Sequence, residues 1–265
     1  MISTFNEATL PSGVLRLFGD LPARHGRRSI ATSMGAATAC GVGRDHNEDC
    51  YGTRSERIFA VADGMGGRPG GAQAALAAIA ATLDLIERAD THDWHATIST
   101  VNEAVRAEAR AAGRDRSGAA LGLVELHGAG ATILHLGDVR IYRIRRGAVQ
   151  LLTVDHTIAD ELAGSGLDPA RLGLRQAELA ALTVYLGDPD SASRFAVRTI
   201  TVETGDRLVL CTDGVHRHRE PIWPDLEVVS DVEVADRLVS RAVESGSDDD
   251  ASAMVLTLGF AEGKT

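Results

Sequence analysis

Four acidic motifs, far apart along the chain, each abut an apolar run of strand character. They are Arg44-Asp45-His46-Asn47-Glu48-Asp49, Asp63-Gly64-Met65-Gly66-Gly67, Asp213-Gly214 and Asp249-Asp250-Ala251-Ser252. Carboxylates set beside buried strands are costly unless a cation neutralises them. Hard divalent ions such as Mg²⁺ and Mn²⁺ suit carboxylate oxygens. Four acidic clusters converging from separate strands therefore point to one dinuclear metal site. Each motif alone has a plainer reading: the two Asp-Gly pairs as β-turns, Glu48-Asp49 as a charged loop, Asp248-Asp249-Asp250 as a solvated tip. Repetition weighs against coincidence, since Asp63 and Asp213 both end wholly apolar strands with a glycine that lets the backbone turn sharply. His216 and His218, two apart, show no ligand spacing and are expected to be exposed.

The elements that must carry these groups follow from periodicity. Strands are expected at Ile30–Cys40 and Arg57–Asp63, the second ended by the Gly-rich turn at 64–71. Ala72, Ala75, Leu76, Ile79, Leu83 and Ile86 recur at helical spacing, and a second helix runs from about Asp93 to Ala112. Strands follow at Ala119–Leu126, Ala131–Leu136, Val139–Arg145 and Ala148–Val154, with Arg146-Gly147 as a hairpin turn. Residues 157–182 read as helical or irregular, and Thr183–Leu186 as a short strand. Ala196–Val202 and Arg207–Thr212 are expected to pair around the turn Glu203-Thr204-Gly205-Asp206. A helix through Ala235, Leu238, Val239, Ala242 and Val243 and a closing strand Ala253–Phe260 complete the order. Residues 1–28 lack periodicity and read as an N-terminal extension, either flexible or packed on the surface, ahead of a single domain over 29–265. Helices grouped among strands joined by short turns make the class α+β, with antiparallel sheets covered by helices.

Composition narrows the function classes. The chain has 265 residues, 44% hydrophobic and 24% charged, as expected of a soluble globular protein. A net charge of −10 argues against nucleic acid and against an anionic membrane surface. Cys40, Cys50 and Cys211 are odd in number and form no C-x-x-C pair, which suits a reducing cytoplasm. The most apolar stretch, 72–86, is interrupted by Asp84 and is no membrane span, and no signal peptide is evident at the first residues.

In their order, RDHNED, FAVADGMGG, LGDVRIYRI, LTVDHT with LTVYLG, GDRLVLCTDG and DDASAMVL resemble the metal-dependent protein phosphatases of the 2C type, in their bacterial form. The resemblance covers roughly residues 30–260. It implies a β-sandwich of two antiparallel sheets flanked by helices, in α-β-β-α layers. It implies hydrolysis of phosphoserine and phosphothreonine on proteins by direct attack of a water bridging two Mn²⁺ or Mg²⁺ ions. By position, Asp63 would bridge both ions and the Gly64 carbonyl would bind one. Asp213 and Asp249 would complete the coordination of the first ion, Glu48 and Asp49 would hold the second partly through water, and Asp138 would help bind a weaker third. Arg44 would grip the substrate phosphate with its guanidinium fork. The implied partner is a phosphorylated protein, set against a Ser/Thr kinase, with the enzyme a cytoplasmic monomer.

The chain also departs from the family pattern. Arg68 stands where many bacterial members carry a His and Met65 where animal members do, so leaving-group protonation falls to water. Asp250 replaces an amide, Val139 replaces the Ser of GDSR, and Arg217 replaces an acid, where it would repel a third ion and pair with Asp138. The segment 155–186, the family's flap, lacks the usual His-Pro stretch. These departures keep a second class open, a phosphatase-like domain that binds a partner without turnover. A third is a hydrolase of small phosphorylated metabolites.

Overall fold

The computed structural model describes residues 4–5, 15–20, 30–66, 70–88, 92–127, 130–217 and 229–260. Strands β1 (Thr4–Phe5), β2 (Leu15–Asp20), β3 (Ile30–Ala39), β4 (Cys50–Arg54) and β5 (Ile58–Met65) lead into helices α1 (Gly70–Arg88) and α2 (Trp94–Ala111). Next come β6 (Gly118–His127), β7 (Gly130–Leu136), β8 (Arg140–Arg145) and β9 (Ala148–Leu151), then the short helices α3 (Ile158–Gly164) and α4 (Gln176–Leu179). The chain continues through β10 (Ala196–Thr201), β11 (Arg207–Cys211), α5 (Asp213–His216), α6 (Asp231–Glu244) and β12 (Ala251–Phe260). Two antiparallel sheets result, ordered β1-β4-β5-β6-β7-β10 and β2-β3-β12-β11-β8-β9.

Side-chain alternation explains the layers. On β5, Phe59 and Val61 turn toward the second sheet, while Ile58, Ala60 and Ala62 pack under α1 and α2 with Ile79, Leu83, Val101 and Val105. On β12, Met254, Leu256 and Leu258 face the first sheet, and Ala251, Ala253 and Val255 meet Val234, Leu238 and Val239 of α6. Three apolar layers separate helix, sheet, sheet and helix, which is the expected α-β-β-α arrangement. Asp93 caps α2 by accepting from Ala96 N, and Ser230 caps α6 by accepting from Glu233 N. Arg146 and Gly147 both take positive φ, 51° and 75°, as a tight hairpin between β8 and β9 requires.

Three elements differ from expectation. Residues 196–212 form no hairpin. β10 pairs with β7 at the edge of one sheet, whereas β11 lies between β12 and β8 in the other. The turn at 203–206 instead carries the chain between sheets. Arg145 grips buried Asp206 with Nε and Nη2 at 2.6 and 2.7 Å, and Glu203 N donates to the same carboxylate at 2.8 Å. Thr183–Leu186 forms no strand, only the isolated bridge Leu186–Ala119. Cys50–Arg54, unassigned from sequence, is a strand between β1 and β5. Of residues 1–28, Thr4–Phe5 and Leu15–Asp20 are sheet-edge strands on β4 and β3. The basic patch at 25–28, Gly67, Arg68 and His218 lie outside the described residues.

Candidate metal centre

The same alternation that builds the core sends polar groups inward where the strands end. Thr38 shares the inward face of β3 with Met34 and Ala36, and Ser252 shares that of β12 with Met254. Thr212 continues the inward parity of Leu208 and Leu210, Asp49 that of Tyr51, and Asp63 that of Phe59 and Val61. One end of the sandwich is therefore floored with hydroxyls and carboxylates. Asn47 Nδ2 donates to Thr38 Oγ1 at 2.7 Å, and Thr38 and Ser252 hydroxyls bond at 2.7 Å. Ser252 Oγ and Thr212 Oγ1 both donate to Asp49 Oδ2, at 2.7 and 2.9 Å. A hydroxyl has one proton, so Ser252's bond to Asp49 leaves Thr38 as donor to Ser252, and the chain of donors ends on Asp49.

Above this floor opens a cleft of about 600 Å³, lined by Arg44, Glu48, Asp63, Gly64, Asp138, Asp213, Arg217 and Asp249 together with Met65, His46 and the flap residues Ala180 and Leu182. Asp49 lies beneath, 1% exposed. The loops pack closely enough to need glycine. A Cβ on Gly64 would stand 2.2 Å from Gly71 O, and one on Gly214 2.1 Å from Asp250 O. Glu48 sits against the first turn of α1, where a Cβ on Gly71 would come within 2.8 Å of its carboxylate. A helix N-terminus favours negative charge there.

Two guanidinium groups bind the acids. Arg44 Nη2 pairs with Asp249 Oδ1 at 2.6 Å and Nη1 with Asp250 Oδ2 at 3.1 Å, while Nε donates to Asp248 O at 2.9 Å. Buried Asp250 also accepts Gly41 N at 3.0 Å and Glu48 N at 2.8 Å. The carboxylate that replaces the family's amide thus ties Arg44 to the backbone of the Glu48 loop. Arg217 Nη1 pairs with Asp249 Oδ2 at 2.7 Å and Nη2 with Asp213 Oδ2. The expected Arg217–Asp138 pair does not form, because α5 places residue 217 one helical turn after Asp213. His216, expected at the surface, is buried, and its Nε2 donates to Asp138 O at 3.0 Å.

Burial, reinforced by charge repulsion, sets the protonation of the site. Burial pushes the Asp63 carboxyl well above the usual carboxylate range, and Asp213, Asp49, Asp138 and Asp249 push it further. Burial also raises Asp138 strongly, with Asp213 and Asp155 adding and Arg217 opposing. Asp49 is raised by burial and by Asp250 against the pull of its two hydroxyl donors. Asp213 and Glu48 are raised mainly by burial as well. Such a set is short of positive charge.

Whether these residues suit divalent ions can be tested on their unsatisfied atoms. Glu48 Oε1 and Asp213 Oδ1 are buried without a well-formed hydrogen bond; His46 Nε2 stands 3.7 Å from the first, and Asp63 is the neighbour of the second. Glu48 and Asp213 belong to the expected ligand set, and all its side-chain donors are hard oxygens. As arranged, no three acidic, His or Cys side chains among the described residues converge as a ready ligand cage. The arginines hold Asp213 Oδ2 and both oxygens of Asp249 in the meantime. The donor set fits, with rotamers closed on guanidinium.

Sequence reasoning missed the supporting layer. Thr38, Thr212 and Ser252 were legible only as polar residues at or just past inward strand positions, a signal that needs the strand parity first, and Asn47 only as a member of an acidic loop motif. It also missed Arg140, which grips Asp155 through Nη2 at 2.9 Å and Nε at 3.1 Å and so ties the GDVR turn to the base of the flap. His156 reinforces that tie, its ring accepting Gly137 N at 3.1 Å and its backbone N–H donating to Gly137 O at 2.8 Å.

A two-sheet sandwich between helices, with carboxylates from several strand ends around one cleft, is the architecture of the metal-dependent protein phosphatases. The family profile of protein phosphatase 2C matches residues 42–253, and the chain belongs to that family. Serine/threonine protein phosphatase PstP of Mycobacterium tuberculosis is 28% identical over 86% of this chain, which spans 45% of that protein's length. Serine/threonine phosphatase stp of Listeria innocua is 27% identical over 80% of this chain and 90% of its own. The catalytic domain of PstP, solved in complex with two manganese ions, superposes with a TM-score of 0.70 at 25% identity, over 87% of this chain and 99% of that domain.

Proposed function

We propose that this chain hydrolyses phosphoserine and phosphothreonine on proteins, with two Mn²⁺ or Mg²⁺ ions held by Asp63, the Gly64 carbonyl, Asp213, Asp249, Glu48 and Asp49. The observation that carries the reading is the crowding of Asp63 by four other carboxylates at the bottom of a cleft that also presents Arg44. Bound divalent ions supply charge neutralisation and an acidified water for in-line attack on phosphorus. The protein's own residues do the remainder. Arg44 is anchored by Asp250 and the Asp248 carbonyl, which leaves Nη2, now on Asp249, as the donor a phosphate oxygen would take. Asp49 is held rigid by Ser252 and Thr212 and steadies its neighbours from below. Met65 lines the cleft at the position where animal members of the family place a histidine, so the leaving alkoxide takes its proton from water. Asp138 serves a weaker third ion. Cys40, Cys50 and Cys211 form no disulfide, which suits a reducing cytoplasm; there the enzyme would act opposite a Ser/Thr kinase.

The test is turnover of p-nitrophenyl phosphate and of a phosphothreonine peptide after chelation, with and without added Mn²⁺ or Mg²⁺. Activity only with the ion is expected. Full activity in excess chelator would refute the two-ion mechanism, and none with any ion would return the chain to the binding-module class.

A further inference from the structure

Asp249 has both oxygens occupied by arginine, Oδ1 by Arg44 and Oδ2 by Arg217. A metal ion entering between Asp213 and Asp249 must displace one of them. The two are not held alike. Arg44 keeps Asp250 and the Asp248 carbonyl if it gives up Asp249. The carboxylates that Arg217 pairs with, Asp213 and Asp249, both belong to the proposed ligand set. Its side chain is 40% exposed at the mouth of the cleft, so swinging it into water loses little packing. Its backbone is fixed, with Arg217 N donating to Asp213 O at the end of α5, so the guanidinium stays tethered within reach when it leaves. Asp213 Oδ1 is not covered by either arginine and stays on the side of Asp63, so it remains open to an ion while Oδ2 is covered.

The geometry points to Arg217 as a tethered counter-cation that competes with metal for the Asp213–Asp249 position. It neutralises the two acids in the metal-free protein, and its displacement is part of every metal-binding event. The chain therefore binds its ions more weakly than the carboxylate set alone would allow, and its loading responds to the free divalent concentration. A guanidinium suits this work because its planar fork spans two carboxylates at once, whereas an ammonium is a point charge. The inference rests on the two-ion reading above.

Mn²⁺ titration calorimetry on the whole chelated chain, comparing wild type with R217Q and R217K, tests it without reference to turnover. R217Q should bind at least about tenfold more tightly at the first-filled position, and R217K a few-fold more tightly. Metal-free R217Q should melt below wild type, and the gap should close in saturating Mn²⁺, where the side chain at position 217 is disengaged in both. Equal affinities for wild type and R217Q, or a melting gap that persists unchanged with metal, would overturn the competition while leaving the two-ion reading intact. Absence of Mn²⁺ binding by every protein would overturn both. Should R217Q fail to fold without metal, wild type against R217K still decides, since equal or weaker binding by R217K contradicts the proposal.

Discussion

Protonation of His135 should contribute a separable share of the acid sensitivity of the fold around the flap, alongside buried His216, whose pKa burial likewise lowers to about 3. His135 is 1% exposed on β7, its ring lies 4.7 Å from that of His156, and only the Gly137 backbone opposes the loss of its proton. Burial, with His156 adding, lowers its pKa from the ordinary 6.5 to about 3. The sign follows directly. A base whose pKa is depressed by folding is neutral in the native state and charged in the unfolded chain between those values, so stability is lost as pH falls below 6.5. At about pH 5 the penalty is roughly 2 kcal/mol, against almost nothing at pH 7.5. The raised carboxylates of the cleft act in the opposite direction, their stabilising share shrinking as pH rises, but they are common to any variant that leaves the site alone. In His135→Phe the packing change is independent of pH, so the difference between variant and wild type isolates the ring. Urea unfolding in chelator at the two pH values should show wild type losing about 2 kcal/mol more than His135→Phe on acidification. Parallel losses, within about 0.5 kcal/mol, would refute the reasoning and mean that the ring finds a charge partner when protonated.

Two further substitutions address the cleft. Asp63→Asn should nearly abolish turnover, since the acid beside four others loses the charge that would draw both ions. It should also raise the melting temperature of the metal-free protein by relieving repulsion. Retention of more than about a tenth of the rate, a barrier change under roughly 1.4 kcal/mol, would show that Asp63 does not bridge. Arg44→Ala should raise KM for a phosphopeptide more than it lowers kcat, with a lower melting temperature in chelator because Asp249 and Asp250 lose their shared cation. Unchanged kinetics would remove Arg44 from phosphate binding.

Much of this molecule was written locally. The helical spacing of Ala72 to Ile86 and the apolar runs that become β5, β11 and β12 each satisfy their own periodicity, and burying them leaves little choice of layer. The acids that reach the cleft end those same runs, which is why Asp63, Asp213 and Asp249 could be singled out beforehand. What depended on distant partners was not legible. β10 and β11 look like a hairpin, yet they go to different sheets, because an exposed edge beside β7 and a central slot between β12 and β8 exist only once both sheets are assembled. The neutralisation of the acids is decided at the same level. Sequence order shows Arg44 and Arg217 near acidic motifs, but only the packed loops place Arg44 between Asp249 and Asp250 and Arg217 between Asp213 and Asp249. Side-chain periodicity acts over a few residues, whereas charge pairing is settled by whichever groups the finished fold brings within a few ångströms.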